Sequence, residues 1–347
     1  MTRRFLDRPV VPLEVDPDAN VASLLQRMGR ISFQGRNLSK AFAVWKEMLQ
    51  HRNVIFLGLA GAMIPAGMRK LMVFLIEHRF IDCLVVTGAN LFHDIHESLG
   101  RRHYIGHPGL PDEELREAAV DRIYDTLASE DEFRATDYQL ATWATQLDLS
   151  RAWTTREYLY EVGRVLSEGG HDRCMVSEAY RAGIPIYCPA IGDSSIGLAL
   201  LRSEAGKRVP IIFDVVSDVA ETGRIVEGSP SSGVIYVGGG TPKNFIQQTE
   251  VLLPRDQRTK EGHRYAIQIT ADAPFWGGLS GCTFDEAKSW GKISSDAAMV
   301  TVRADATVAL PILVTALSQE AMDLARARPK PGFEMGRELS VHWDEGQ

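Results

Sequence analysis

Val54-Ile55-Phe56-Leu57-Gly58 and, further on, Cys83-Leu84-Val85-Val86-Thr87-Gly88-Ala89-Asn90 decide the fold. Each is a short apolar run that stops at a glycine or a polar turn. A run too short for a helix and apolar at every position reads as a strand covered on both faces. Between the two, Pro65 stands at a first helical position, and Met68 to Ile76 continues with helical spacing. Strand, helix and strand within about 35 residues make a βαβ unit, whose strands run parallel.

The same theme continues along the chain. Ile184–Tyr187, Ile211–Val216, Gly233–Val237, Tyr265–Ile269 and Met299–Val302 are further strand candidates, nearly all continuously apolar. Residues 21–50, 112–128 and 154–168 have helical periodicity, and 129–150 reads as mixed and helical. These elements predict an α/β fold: a doubly wound, mostly parallel sheet flanked by helices. Residues 1–20, polar and holding Pro9, Pro12 and Pro17, read as an N-terminal arm. Residues 21–330 read as a single α/β domain with an extra helical layer inserted around 105–170, and 331–347 as a C-terminal tail.

Composition narrows the function. The 347 residues include 38 Lys and Arg against 45 Asp and Glu, a net charge of −7, with no dense basic run. Nucleic acid is therefore not an expected partner. The longest apolar stretch, Ala306 to Leu317, is too short to span a bilayer and contains Pro311, so no membrane association is expected. Cys83, Cys174, Cys188 and Cys282 form no CxxC pair, and no apolar leader follows Met1. A cytoplasmic protein with reduced thiols is the expectation.

In an open parallel sheet, ligands bind beyond the carboxyl ends of the strands, so the residues after each strand carry the candidate sites. Val237-Gly238-Gly239-Gly240-Thr241-Pro242-Lys243-Asn244 follows one of them. Thr241 reads as an N-cap and Pro242 as the N1 residue of a helix Lys243–Leu253. Such a turn either receives a phosphate or ribose at a helix N-terminus or is simply a tight turn; it is not a GxGxxG fingerprint. Asn90, His93, Asp94 and His96 follow the second strand, with His103 and His107 beyond. They read either as hydrogen-bonded histidines or as part of a metal site, without HExxH spacing. Asp193, in Ala190-Ile191-Gly192-Asp193-Ser194-Ser195, contacts a ligand or caps a helix, and Asp214, Asp218 and Asp305 share that ambiguity.

The last stretch is Phe275-Trp276-Gly277-Gly278-Leu279-Ser280-Gly281, followed by Asp285-Glu286-Ala287-Lys288-Ser289-Trp290-Gly291-Lys292-Ile293. A lysine beside a tryptophan after a backbone break is either a desolvated, imine-forming amine or a surface lysine at a helix end. This segment closely resembles the catalytic segment of the deoxyhypusine synthase family. So do Phe33-Gln34-Gly35-Arg36-Asn37, Ile64-Pro65-Ala66-Gly67-Met68-Arg69, Pro189-Ala190-Ile191-Gly192-Asp193, Val237-Gly238-Gly239-Gly240 and Ala304-Asp305-Ala306. The match in order and spacing runs over about residues 25–320.

The resemblance implies a deoxyhypusine synthase-like NAD-binding fold and an NAD-dependent aminoalkyl transferase, a homotetramer with active sites at a dimer interface. Family members oxidise spermidine and pass its aminobutyl group through a lysine imine to an acceptor amine. The acceptor is a translation-factor lysine, later hypusine, in the parent enzymes and putrescine in homospermidine synthases. By position Lys292 is the imine-forming lysine. Trp290, Glu286, Asn244 and Gln248 fall to the amine site, and Asp193, Gly239, Gly240, Asp305 and Asn90 to NAD. Several positions depart from the family pattern. Leu198 and Leu279 stand where the parent enzymes hold the amine with acids. Asn244 replaces a histidine, Phe92-His93 an acidic pair and Trp276 an acidic NAD contact. The pattern resembles the divergent deoxyhypusine synthase-like branch. Ser280, His93, Asp94 and Asp272 are candidates for a replacement polar shell. A small diamine or polyamine acceptor is preferred to a protein lysine. A metal-assisted hydrolase built on His93, Asp94 and His96, and a non-catalytic NAD- or polyamine-binding homologue, are the competing readings.

Overall fold

The apolar runs form one six-stranded sheet in which every pairing is parallel. Its strands are β1 (Val54–Leu59), β2 (Cys83–Val86), β3 (Ile186–Tyr187), β4 (Ser232–Val237), β5 (His263–Ile269) and β6 (Ile293–Val302). The computed structural model describes residues 6, 8–201, 206–252 and 261–343. The strand order is β6-β5-β4-β1-β2-β3. The chain starts at the centre, winds to one edge, returns beside β1 and winds to the other. The order reverses between β1 and β4, and it is beyond the carboxyl ends at such a reversal that α/β sheets leave a crevice.

Both faces of the sheet are covered, as the unbroken apolar runs require. Ile55, Leu57, Leu84, Val86, Ile235 and Val237 join one core with the helices Phe33–Gln50, Arg69–Glu77 and Ala306–Glu320. Val54, Phe56, Cys83, Val85, Val234 and Tyr236 join a second core. That core includes residues of helices Val215–Glu227, Gly240–Gln248 and Phe284–Ser289. The alternation is the two-residue strand period, and each large apolar side chain fully buried in it contributes about 1.5–3 kcal/mol.

Four local expectations are corrected. Residues 112–128 are not one helix: a helix over Asp112–Glu117 gives way to antiparallel strands Val120–Ile123 and Thr126–Ser129, which join Tyr104–Ile105 in a small sheet. Ala119 and Tyr124, both at φ 55°, break the helix and turn the hairpin. The inserted layer around 105–170 is therefore partly β. Of Ile211–Val216 only Ile212–Phe213 is strand, pairing with Ala152–Trp153 outside the main sheet. There Asp214 is the N-cap of Val215–Glu227, accepting from the Ser217 N–H at 3.0 Å. Asp218 is fully buried and accepts from the amide and hydroxyl of Thr155 at 3.1 and 2.8 Å, so both acids serve the scaffold.

The helix expected over Lys243–Leu253 begins earlier, with Gly239 as its cap and Gly240 as its first residue, so Thr241 and Pro242 lie inside the first turn. Leu253 lies outside the described residues. Within 331–347, expected as a tail, Pro331–Met335 and Leu339–Trp343 pair as an antiparallel hairpin. Its Leu339 is buried in the second core, and its turn carbonyls of Met335, Gly336 and Arg337 accept from the buried Arg156 guanidinium at 3.4, 2.9 and 3.4 Å. A short alternating ribbon that docks through Leu339, with Phe333, Met335 and Trp343 only partly buried against the core, leaves little hydrophobic signal.

Candidate active site

The turn after β4 lies at the strand-order reversal. Gly238 at φ +75° and Gly240 at φ +54° adopt backbone that favours glycine. At Gly239 the constraint is space: a Cβ there would sit 2.4 Å from the Ser280 Cα. The loop that leads to the Trp-Gly-Lys segment is thereby seated directly on the turn. Gln268, near the carboxyl end of β5, ties the two together by donating to the carbonyls of Gly238 and Ser280, both at 2.9 Å.

Lys243, which the sequence reading did not single out, completes this junction. It is fully buried, and its ammonium donates to the Gln268 Oε1 at 3.0 Å and the Cys282 carbonyl at 2.6 Å. It also lies 5.8 and 5.9 Å from the ring centroids of Phe284 and Tyr236. Burial pushes its pKa down to about 8; the charges of Cys282 and Glu286 oppose that fall, and Lys292 and Arg303 add to it. A lysine on the inward face of a helix, flanked by the buried Pro242, Phe245 and Ile246, is the pattern that signals such a group.

The Trp290-Gly291-Lys292 spacing follows from how the six-residue helix Phe284–Ser289 ends. Thr283 caps its start, accepting from the Glu286 N–H at 3.1 Å. At its end Gly291 takes φ +71° and donates to the Lys288 carbonyl at 2.9 Å, while Lys292 N–H donates to the Ala287 carbonyl at 3.1 Å. This pair of bonds is a Schellman motif, and it requires glycine where Gly291 stands. The Lys292 carbonyl accepts from the His263 N–H at 3.1 Å, so the lysine backbone is held on both sides. Its ammonium lies 5.2 Å from the centre of the Trp290 ring, a cation–π distance. Lys292 thus precedes a strand, unlike the glycine turn. The short helix between them, about 9 Å long, brings the lysine near enough for its charge to act on Lys243 and Cys282.

The remaining candidates divide into groups. Glu286 is exposed on the short helix, and its charge acts on Lys243. Asn244, half-buried, and Gln248, exposed, are one helical turn apart on one face of Gly240–Gln248. Asp193 is exposed in the loop after β3, and Asp305 is exposed after β6. Asp305 caps Ala306–Glu320, with Oδ1 accepting from the Thr307 amide at 2.8 Å; hydrogen bonds from Thr307 hold its pKa below the usual range. Asn90 is buried, donating to the Gly61 carbonyl at 2.6 Å and the Thr87 hydroxyl at 2.9 Å and accepting from Ile64 N–H at 3.1 Å. Its amide shapes the loop after β1. Leu198, Trp276 and Leu279 are all exposed.

The His93 and His96 rings pack 4.9 and 5.4 Å from that of His103, and each ring has its own bonding partner. His93 Nδ1 faces His103 Nε2 at 2.9 Å, His103 Nδ1 faces Glu97 at 2.8 Å, and His96 Nδ1 faces the Thr136 hydroxyl at 2.9 Å. Asp94 is buried against another helix, accepting from Val176 N–H at 3.3 Å, and burial pushes its pKa up to about 7. Among the described residues no group of three or more His, Cys, Asp or Glu side chains is arranged to hold a metal ion. Of the proposed replacement shell, Ser280 lies at the glycine junction. Asp272 accepts from the neighbouring Ala273 amide, Asp94 faces a helix end and His93 faces His103.

Comparison with known proteins bears on this arrangement as a whole. A family model described as deoxyhypusine synthase matches residues 23–317. A Methanosarcina acetivorans protein named probable deoxyhypusine synthase 2 is 48% identical over 344 residues, 98% of this chain and 99% of that one. The Archaeoglobus fulgidus protein of the same name is 50% identical over 291 residues, 84% of this chain and 95% of its own. A deoxyhypusine synthase-like protein of Chlorobaculum parvum is 37% identical over 317 residues, 89% of each. A solved structure from Entamoeba histolytica named for the same enzyme shares the fold at a TM-score of 0.59 and 18% identity, covering 88% of this chain and 96% of that one. The chain belongs to the deoxyhypusine synthase family.

Proposed function

We propose that this transferase moves an aminoalkyl group from a polyamine or diamine to an acceptor amine, through an imine on Lys292, with NAD as cofactor. The observation that carries the reading is the Schellman motif. It holds the Lys292 backbone, with the ammonium near the Trp290 ring and its charge acting on Lys243.

The chain's fit to a dinucleotide rests on the crevice at the strand-order reversal and on Gly240, at φ +54° with open space where a Cβ would stand. Gly239, Gly240, Asp193 and Asp305 would hold NAD there, with Asn90 shaping the adjoining loop. When bound, NAD supplies a hydride acceptor and later a hydride donor. The donor amine loses a hydride and a proton to become an imine. Lys292 Nζ adds to that carbon, the donor's remaining amine leaves, and a lysine imine results. The acceptor amine displaces Lys292 from the same carbon, and return of the hydride to the new imine completes the transfer. Trp290 offers a π face to the amine, while Glu286, Asn244 and Gln248 offer acceptors for its N–H groups. Lys243 sets a buried positive charge behind the site.

Leu198 and Leu279 offer no carboxylate, which favours a small acceptor amine over a protein lysine. The exposed Phe275 and Trp276, with ring centroids 4.6 Å apart, and the exposed Leu198 and Leu279 are apolar surface suited to a subunit contact in a homotetramer. The four thiols, free in this structure, suit the cytoplasm. No described helix is long and apolar enough to cross a membrane.

Borohydride trapping with NAD and a panel of amines tests the reading. A covalent adduct on Lys292, absent in Lys292→Arg while NAD binding persists, is the expected result. No adduct with any amine, alongside intact NAD binding, would favour the non-catalytic homologue.

A further inference from the structure

Arg303 stands just past the carboxyl end of β6, on the side of the sheet where α/β folds bind ligands. Its backbone is well held. The Arg303 N–H donates to Gln34 Oε1 at 2.7 Å, and the preceding carbonyl, of Val302, accepts from the Thr270 N–H at 3.0 Å. The guanidinium reaches back over the end of β5, where its Nη1 donates to the Asp272 carbonyl. The loop that leaves Asp272 runs on to Ser280, the residue seated on Gly239. One contact thus ties the guanidinium to the loop that closes the glycine turn. Its charge also reaches Lys243, on the helix after that turn, and helps to lower the pKa there.

A guanidinium withdrawn from water usually meets a carboxylate. Arg156 and Arg328 do, facing Glu221 at 2.7 Å and Asp82 at 2.5 Å. Half-buried Arg303 does not: among the described residues no carboxylate pairs with it. Asp272 offers it only the backbone carbonyl, while the Asp272 carboxylate accepts from the Ala273 amide at 3.1 Å. Asp305, two residues on, is turned onto its own helix, accepting from the Thr307 amide at 2.8 Å. The Arg303 Nε and Nη2 have no partner among the described residues, and neither is sealed from water. A positioned cation with accessible donors and no counter-charge is a seat for an anion, and the fork of a guanidinium matches phosphate oxygens.

We propose that Arg303 binds a phosphate group of the dinucleotide cofactor. That group is either the pyrophosphate, which NAD and NADP share, or the 2′-phosphate, which NADP alone carries. The inference rests on a dinucleotide occupying the crevice, as the Lys292 reading requires.

Calorimetric titration of the full chain with NAD and with NADP tests it. Arg303→Gln should weaken binding of the ligand whose phosphate is held by at least about tenfold. Arg303→Lys, which keeps the charge, should bind more tightly than Arg303→Gln. Added sodium chloride should weaken wild-type binding more than that of Arg303→Gln. A loss shared by NAD and NADP places the contact at the pyrophosphate, and a loss confined to NADP places it at the 2′-phosphate. Arg303→Gln with wild-type affinity for both dinucleotides, Arg303→Lys as weak as Arg303→Gln, or wild-type affinity indifferent to salt would overturn the assignment and leave the cofactor reading standing. A wild-type protein that binds neither dinucleotide would overturn both.

Discussion

The amine of Lys243 and the carbonyl of Cys282 lie 2.6 Å apart, joining the helix after the glycine turn to the loop that leads to Lys292. This buried contact makes stability depend on pH. With a folded pKa of about 8 against an ordinary 10.5, the folded amine is neutral between those values while the unfolded one is charged. The unfolded state binds more protons in that window, so this group's contribution to stability rises as pH climbs from about 8 to about 10.5. The total is about 3 kcal/mol. Lys243→Met should abolish that rise, read as the difference between wild-type and variant urea midpoints across the window. Parallel curves would refute it.

Gly291→Ala should detach the lysine without dismantling the sheet. An alanine at φ +71° costs about 1–2 kcal/mol, and escape from that strain breaks the Lys292 N–H bond to Ala287. The expected result is at least a tenfold fall in kcat with NAD affinity retained. Retained kcat in a folded variant would mean that the motif does not position the amine.

Gly239→Ala acts by crowding. The new methyl would meet the Ser280 Cα at 2.4 Å, so the turn and the loop must separate. At least tenfold weaker NAD binding is expected, measured by fluorescence titration of the reduced cofactor. Wild-type affinity would place the cofactor elsewhere.

Half-buried His93 and fully buried His96 contribute to the acid side. Burial, with repulsion from His103, pushes His93 down to about 4; burial, with repulsion from His103 and Arg101, pushes His96 down to about 3. Below about pH 6.5 the unfolded imidazoles take protons that the folded ones refuse, so the histidines' contribution to stability falls as pH drops toward 4, against the opposite contribution of Asp94. His96→Phe keeps the contacts with Phe92 and Phe133 and should lose that slope. Its stability relative to wild type should therefore rise between pH 6.5 and 4. A pH-independent difference would show that His96 is protonated in the fold.

The central sheet was legible because strands covered on both faces carry apolar side chains at every position, as β1 and β4 do. The small sheet over 104–129 was not. Its turns rest on Ala119 and Tyr124 at positive φ, a conformation their residue types do not announce. Lys292 was found through the Ser-Trp-Gly-Lys motif, whereas Lys243 needed three dimensions. Its importance comes from the Gln268 and Cys282 oxygens that meet it from distant parts of the chain. Asp214 and Asp305 show the converse. Both were legible as caps or ligands, and each is seen capping a helix, with Asp305 also exposed beyond the carboxyl end of β6.

The hairpin that holds Arg156 also sets an order of events during synthesis. Once residues up to Glu221 have left the ribosome, Arg156 can form its paired bonds to that carboxylate, at 2.7 and 3.0 Å. Its other acceptors, the carbonyls of Met335, Gly336 and Arg337, do not yet exist. The ribbon that supplies them follows β4, β5 and β6 in the chain, so Arg156 gains those bonds only after every strand of the central sheet has been made.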